Sequence, residues 1–138
     1  MALSRRSSLS IKVTLTGVYN RRSGLDRFED DIQKAGEQNK PLCLCFADVN
    51  GLKEINDTLG HETGDEMFTT FIRIAGREID DSDYIIRMGG DEFIIVFFGA
   101  TLQQAEATWS RITAKLEHIN RTESRKYNIS LSHGIVEA

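Results

Sequence analysis

Apolar residues recur at steps of three and four from Leu25 through Phe28, Ile32 and Ala35, the period of one helical face. Ser23 followed by Asp26 three places on resembles the cap of that helix, and Pro41 blocks its continuation. The continuous apolar run from Pro41 to Ala47 is too short for a buried helix and is followed by Asp-Val-Asn-Gly, so it predicts a central strand with Asp48 at its C-terminal end. Leu52, Ile55 and Leu59 mark a short helix, Gly60 and Gly64 breaks, and Phe68, Phe71, Ile72, Ala75 and Ile79 a longer helix. From Tyr84 to Phe98 two β-rich runs flank Gly-Gly-Asp, a hairpin with Asp91 and Glu92 at its tip. Thr101 and Gln104 form a capping box for a helix with Leu102, Ala105, Trp109, Ile112, Leu116 and Ile119 on one face. Tyr127 to Val136 reads as a last strand.

This order contains the β-α-β-β-α-β pattern of a ferredoxin-like sheet, so the expected fold is an α+β sandwich with a mainly antiparallel sheet flanked by helices. A chain of 138 residues is one domain with an ordinary core. Lys and Arg total 17 against 21 Asp and Glu, with both signs interspersed, which argues against a nucleic-acid groove. The longest apolar stretch, Phe93 to Ala100, is far short of the roughly 20 residues that span a bilayer, so no membrane contact is expected. Residues 1–12 are Ser/Arg-rich without an apolar period and read as a leader or junction stub rather than a secretory signal. Two cysteines make no disulfide framework, so a cytoplasmic location is expected, and Cys43 and Cys45 on one strand face read as packing. His61-Glu62 is not a zinc motif, because Asp65 stands where the second His belongs.

In this topology Asp48, Asp91 and Glu92 converge at one sheet edge. Mg²⁺ is held by one or two carboxylates plus substrate phosphates, and a glycine pair lets a ligand approach the backbone, so the set fits a nucleoside triphosphate site. On spacing alone, a Gly-Asp hairpin turn is an equally good account.

Met88-Gly89-Gly90-Asp91-Glu92-Phe93, preceded by Arg87, resembles the signature of the GGDEF family of diguanylate cyclases, which make cyclic di-GMP from two GTP molecules. Four further stretches are similar to the family's motifs in order and spacing: Leu15 to Arg22, Asp48 to Asp57, Gly60 to Asp65 and Ile129 to Gly134. The resemblance implies a palm-type nucleotidyl cyclase fold. It also implies that Asp48, Asp91 and the Val49 carbonyl hold Mg²⁺ or Mn²⁺, with Glu92 completing a second metal site or the transition-state contacts, so that Asp91 and Glu92 are the catalytic pair. Asn56 and Asp65 match the guanine-reading positions; an amide offers donor and acceptor together, and a carboxylate accepts from guanine N–H groups. Lys53 and the backbone near Gly51 and Leu52 would face the phosphates, and Gly89 and Gly90 would let the nucleotide lie on the hairpin.

Three departures modify the expectation. Asp80 stands where many members carry the Arg of an Arg-x-x-Asp inhibitory product site, so no feedback site is expected. Val13 replaces a frequent acidic residue at the junction to upstream segments. Residues 13–138 resemble a GGDEF domain without its final helix, which implies weaker triphosphate binding. A two-fold symmetric product implies a homodimer with one GTP per protomer, and the family implies sensor or effector domains in the parent protein. The alternative is a non-catalytic GTP-binding module that regulates a neighbouring domain.

Overall fold

The computed structural model describes residues 18–122 and 129–138. Helix α1 (Arg21–Gln38) leads into strand β1 (Leu42–Val49), the short helix α2 (Leu52–Leu59) and helix α3 (His61–Glu78). Strands β2 (Tyr84–Arg87) and β3 (Glu92–Phe98), helix α4 (Leu102–Thr122) and strand β4 (Leu131–Glu137) complete the order. The strands form one four-stranded sheet in the order β2-β3-β1-β4, every neighbour antiparallel. This is the expected α+β arrangement, with β1 in the interior of the sheet. The leader, Val13 and the Leu15–Gly17 part of the first motif lie outside the described residues, as do Tyr127 and Asn128 of the predicted last strand; the observed strand begins at Leu131.

Alternation along β1 splits the core in two. Cys43, Cys45, Ala47 and Val49 face α3 and α4, packing with Phe93, Ile95 and Phe97 of β3, Met67, Phe68 and Phe71 of α3, and Trp109, Ile112 and Leu116 of α4. Both cysteines are free and fully buried, as their spacing predicts, and burial pushes the Cys45 thiol up to about 12. The opposite face joins Leu42, Tyr84, Ile86, Ile94 and Val96 to α1. On that same face Phe46 of β1 and Val136 of β4 stand 47% and 49% exposed. The capping box is present in both directions: Gln104 N donates to Thr101 Oγ1 at 3.2 Å, and Thr101 N donates to Gln104 Oε1 at 2.9 Å.

The N-terminal helix differs from its predicted register. Its cap is Asn20, whose Oδ1 accepts from Ser23 N at 2.9 Å, so Ser23 is the third residue of the helix rather than its cap. Gly24, Asp31 and Ala35 are buried and Leu25 and Phe28 pack half-buried against the same core, so of the predicted face only Ile32, 47% exposed, turns away. The cause is a close approach: a Cβ on Gly24 would stand 2.6 Å from Ile86 Cγ1, which fixes the helix face laid on β2. Seven residues on, Asp31 Oδ2 accepts from the buried Tyr84 hydroxyl at 2.7 Å, under the Arg27 guanidinium 4.0 Å from the Tyr84 ring. Gly64 is likewise no break; it is buried within α3, and the chain turns only at Gly60, where φ is +95°.

Candidate active site

Antiparallel pairing brings the C-terminal end of β1 to the N-terminal end of β3. Asp48 lies in register with Glu92, and Val49 N donates to Asp91 O at 2.9 Å. Asp48 Oδ1 is buried and has no hydrogen-bond partner among the described residues. Desolvation raises the Asp48 carboxyl above its ordinary range, and the nearby carboxylates of Asp91 and Glu92 raise it further. Such a site favours either a shared proton or a cation, and the two carboxylates with the adjacent Val49 carbonyl make an all-oxygen donor set of the kind Mg²⁺ takes. Asp48, Asp91 and Glu92 meet at one sheet end, although among the described residues no three acidic, His or Cys side chains form a single group that could hold one ion. Glu92 is exposed and turns back over the hairpin, its Oε1 3.3 Å from where a Gly89 Cβ would stand.

The Gly89-Gly90 turn is held from its own stem. Met88 N and Gly89 N both donate to Glu92 O, at 2.9 and 3.2 Å. Arg87 Nε and Nη2 donate to the carbonyls of Gly89 and Gly90 at 3.3 and 2.7 Å, and its guanidinium lies 4.0 Å from the Phe68 ring centroid. Arg87 thus shapes the turn, a role that its place beside the motif marks in the sequence but does not explain. A cleft of about 390 Å³ opens beside the turn, lined by Val18, Tyr19, Asn20, Arg87, Met88, Gly89 and Gly90.

After Val49 the chain reverses through Gly51, where φ is +73°, into α2. Lys53 is exposed on the first turn of α2; Asn56 sits one turn later, with its Oδ1 buried and without a hydrogen-bond partner among the described residues. Gly60 joins α2 to α3, whose second turn presents Asp65 to solvent. Phe68, edge-on, and Phe71, tilted, then pack against Phe93 with centroids 6.2 and 4.3 Å apart, so the helix bearing Asp65 is anchored to the strand that follows Asp91. The structure therefore brings Asp48, Val49, Asp91, Glu92, Gly89 and Gly90 together at one sheet end. Gly51, Leu52, Lys53, Asn56 and Asp65 lie along the loop and helix pair that spring from it.

The segment from Asp80 to Asp83 is a closed turn. Asp83 N donates to Asp80 O at 3.0 Å, Asp83 Oδ2 accepts from Asp80 N at 2.9 Å, and Asp83 Oδ1 accepts from Phe98 N at 3.0 Å.

Residues 14–138 match the family model described as diguanylate cyclase, GGDEF domain. The probable diguanylate cyclase DgcJ of Escherichia coli K12 is 38% identical over 110 residues, 80% of this chain and 22% of that protein. Diguanylate cyclase DosC of Escherichia coli K12 is 37% identical over 121 residues, 88% of this chain and 26% of that protein. The chain thus spans about a quarter of the length of these curated relatives. Among solved structures, the GGDEF domain of DgcB from Caulobacter crescentus in complex with c-di-GMP superposes with a TM-score of 0.81 at 26% identity, covering 92% of this chain and 77% of that one. Five sequence motifs, an antiparallel sheet that brings Asp48 to the GGDEF hairpin, and a family match over nearly the whole length agree: the chain belongs to the GGDEF family of diguanylate cyclases, a family of nucleotidyltransferase-type enzymes.

Proposed function

We propose that this domain condenses two GTP molecules into cyclic di-GMP, each protomer of a homodimer holding one GTP. The observation that carries the reading is the buried Oδ1 of Asp48, without a hydrogen-bond partner among the described residues, beside Asp91 at the mouth of the GGDEF hairpin. Asp48, Asp91 and the Val49 carbonyl hold Mg²⁺ or Mn²⁺, which supplies charge stabilisation for the attacking and leaving oxygens of phosphoryl transfer. Asn56 and Asp65 read the guanine edge. Adenine presents an amino group where guanine presents its O6 acceptor and lacks the N1 and N2 donors, so it leaves these groups unpaired. Lys53 and the amides of Gly51 and Leu52 hold the phosphates, while Gly89 and Gly90 leave room for the nucleotide against the turn. Glu92, exposed beside Asp91, approaches the reacting groups once nucleotide is bound.

Each ribose 3′-oxygen forms a bond to the α-phosphorus of the other GTP, losing its proton to solvent as pyrophosphate leaves. Because the product is two-fold symmetric, two copies of the site facing each other across an isologous interface are the simplest catalyst. The longer relatives are consistent with sensor or effector domains that control this pairing.

The test is chromatography with mass spectrometry after incubating concentrated protein with GTP and Mg²⁺, beside Asp91→Ala. Cyclic di-GMP from the native chain alone supports the cyclase. GTP binding without product in either sample replaces it with a regulatory binding module.

A further inference from the structure

We propose that Asn50 is a positioning residue that sets the phosphate-facing half of the site by tying the β1–α2 loop to β4; the inference rests on the nucleotide reading above. Its side chain bridges two residues eighty or more positions away: Asn50 Nδ2 donates to Ser130 Oγ at 3.0 Å, and Asn50 Oδ1 accepts from Ser132 Oγ at 2.9 Å. Its backbone N donates to Ser130 O at 2.9 Å. On the other flank Val49 N donates to Asp91 O at 2.9 Å. The loop is therefore gripped from both neighbouring strands at consecutive residues, immediately before the left-handed Gly51.

Everything this grip positions belongs to the metal and phosphate contacts: the Val49 carbonyl, the Gly51 and Leu52 amides, and Lys53. Asn56 and Asp65 lie beyond it, and their place is set by the helix pair and the Phe68 and Phe71 contacts with Phe93. Asn50 has no role in reading the base, so its loss separates the two halves of the site.

The experiment is calorimetric titration of the native chain, Asn50→Ala, Asn50→Asp and Asn56→Ala with GTP and with ATP, each across a Mg²⁺ series, together with melting curves. Asn50→Ala is expected to weaken Mg·GTP binding about fivefold to tenfold, the scale of one or two exposed hydrogen bonds, and to raise the Mg²⁺ requirement. Its preference for GTP over ATP stays native. Asn50→Asp restores affinity to within about twofold, because serine hydroxyls donate as readily as they accept. Asn56→Ala loses the GTP preference at an unchanged Mg²⁺ requirement. Native affinity and Mg²⁺ requirement in Asn50→Ala overturn the proposal, and so does a loss of base preference that tracks a fallen melting temperature. A native chain that does not bind GTP, or an Asn56→Ala variant with undiminished preference, overturns the nucleotide reading and this proposal with it.

Discussion

Asp48 stands directly opposite Glu92 in the β1–β3 ladder, with Asp91 one residue before Glu92, so the strand pairing itself concentrates negative charge at one sheet end. The Asp48 carboxyl is raised by desolvation and by these neighbours, so folding binds a proton there more tightly than the unfolded chain does. Stability from this group is therefore lost as pH rises above the ordinary carboxylate value, and Asp48→Asn is expected to melt higher than the native chain at neutral pH. Mg²⁺ raises the native melting temperature and leaves that of Asp48→Asn unchanged, while Mg·GTP binding of the variant falls by roughly 2 kcal/mol or more. An equal Mg²⁺ response in both proteins contradicts the metal assignment.

Asp83 closes the turn back onto Asp80 N and holds Phe98 N, and Asp80 puts an acid where a product phosphate would need an arginine. Cyclic di-GMP is expected to show no binding site separate from that of GTP. Saturable micromolar binding of cyclic di-GMP that GTP fails to displace contradicts this.

Burial pushes the Asp83 carboxyl up from 3.8 to about 6, against the two backbone donors that favour its charged form. The folded chain thus keeps a proton that the unfolded chain releases between these values, and Asp83 costs stability as pH rises through that window. Carboxyl carbon shifts recorded by NMR should place its midpoint near 6, and a midpoint near 4 rules the burial effect out.

Two helical glycines should respond oppositely to alanine. At Gly24 the new Cβ would stand 2.6 Å from Ile86 Cγ1, and Gly24→Ala is expected to lose about 1–3 kcal/mol. At Gly76 an added Cβ would meet nothing within 4 Å outside its own helical turn among the described residues, and Gly76→Ala is expected to gain about 0.5–1 kcal/mol from helix propensity. Urea unfolding of the two variants measures both; a stabilised Gly24→Ala contradicts the helix placement.

If two protomers share the reaction, the rate per protomer falls on dilution. A rate that stays constant over roughly a hundredfold dilution, read from initial velocities, contradicts the dimeric site.

Much of this was legible in the chain because the signals are local. A short apolar run bounded by Pro41 and an Asp-Val-Asn-Gly turn became β1, and Thr101 with Gln104 became a reciprocal cap. The pairing of Asp48 with the hairpin followed from topology, since neighbouring antiparallel strands bring opposite ends together. The cap of α1 was not legible: Asn20 and Ser23 are both good caps, and the contact of Gly24 with Ile86 that sets the helix face is a tertiary constraint. Nor was the grip of Asn50 on Ser130 and Ser132, because residues so far apart in sequence leave no local pattern. The topology placed Asp48, Asp91 and Glu92 at one sheet end, whereas the turn of the Glu92 side chain toward Gly89 is a detail of hairpin packing that no spacing carries.

Strand β1 is paired along its length on both sides, with β3 from Leu42 to Asp48 and with β4 from Cys43 to Val49. Its amides should accordingly be among the slowest to exchange with solvent, opening only when the sheet itself comes apart. A ligand arriving at Asp48 thus meets backbone whose order was fixed when the domain folded. The conformational entropy surrendered on binding falls instead on the Gly51 loop and the Gly89-Gly90 turn, two short segments already restrained from both ends.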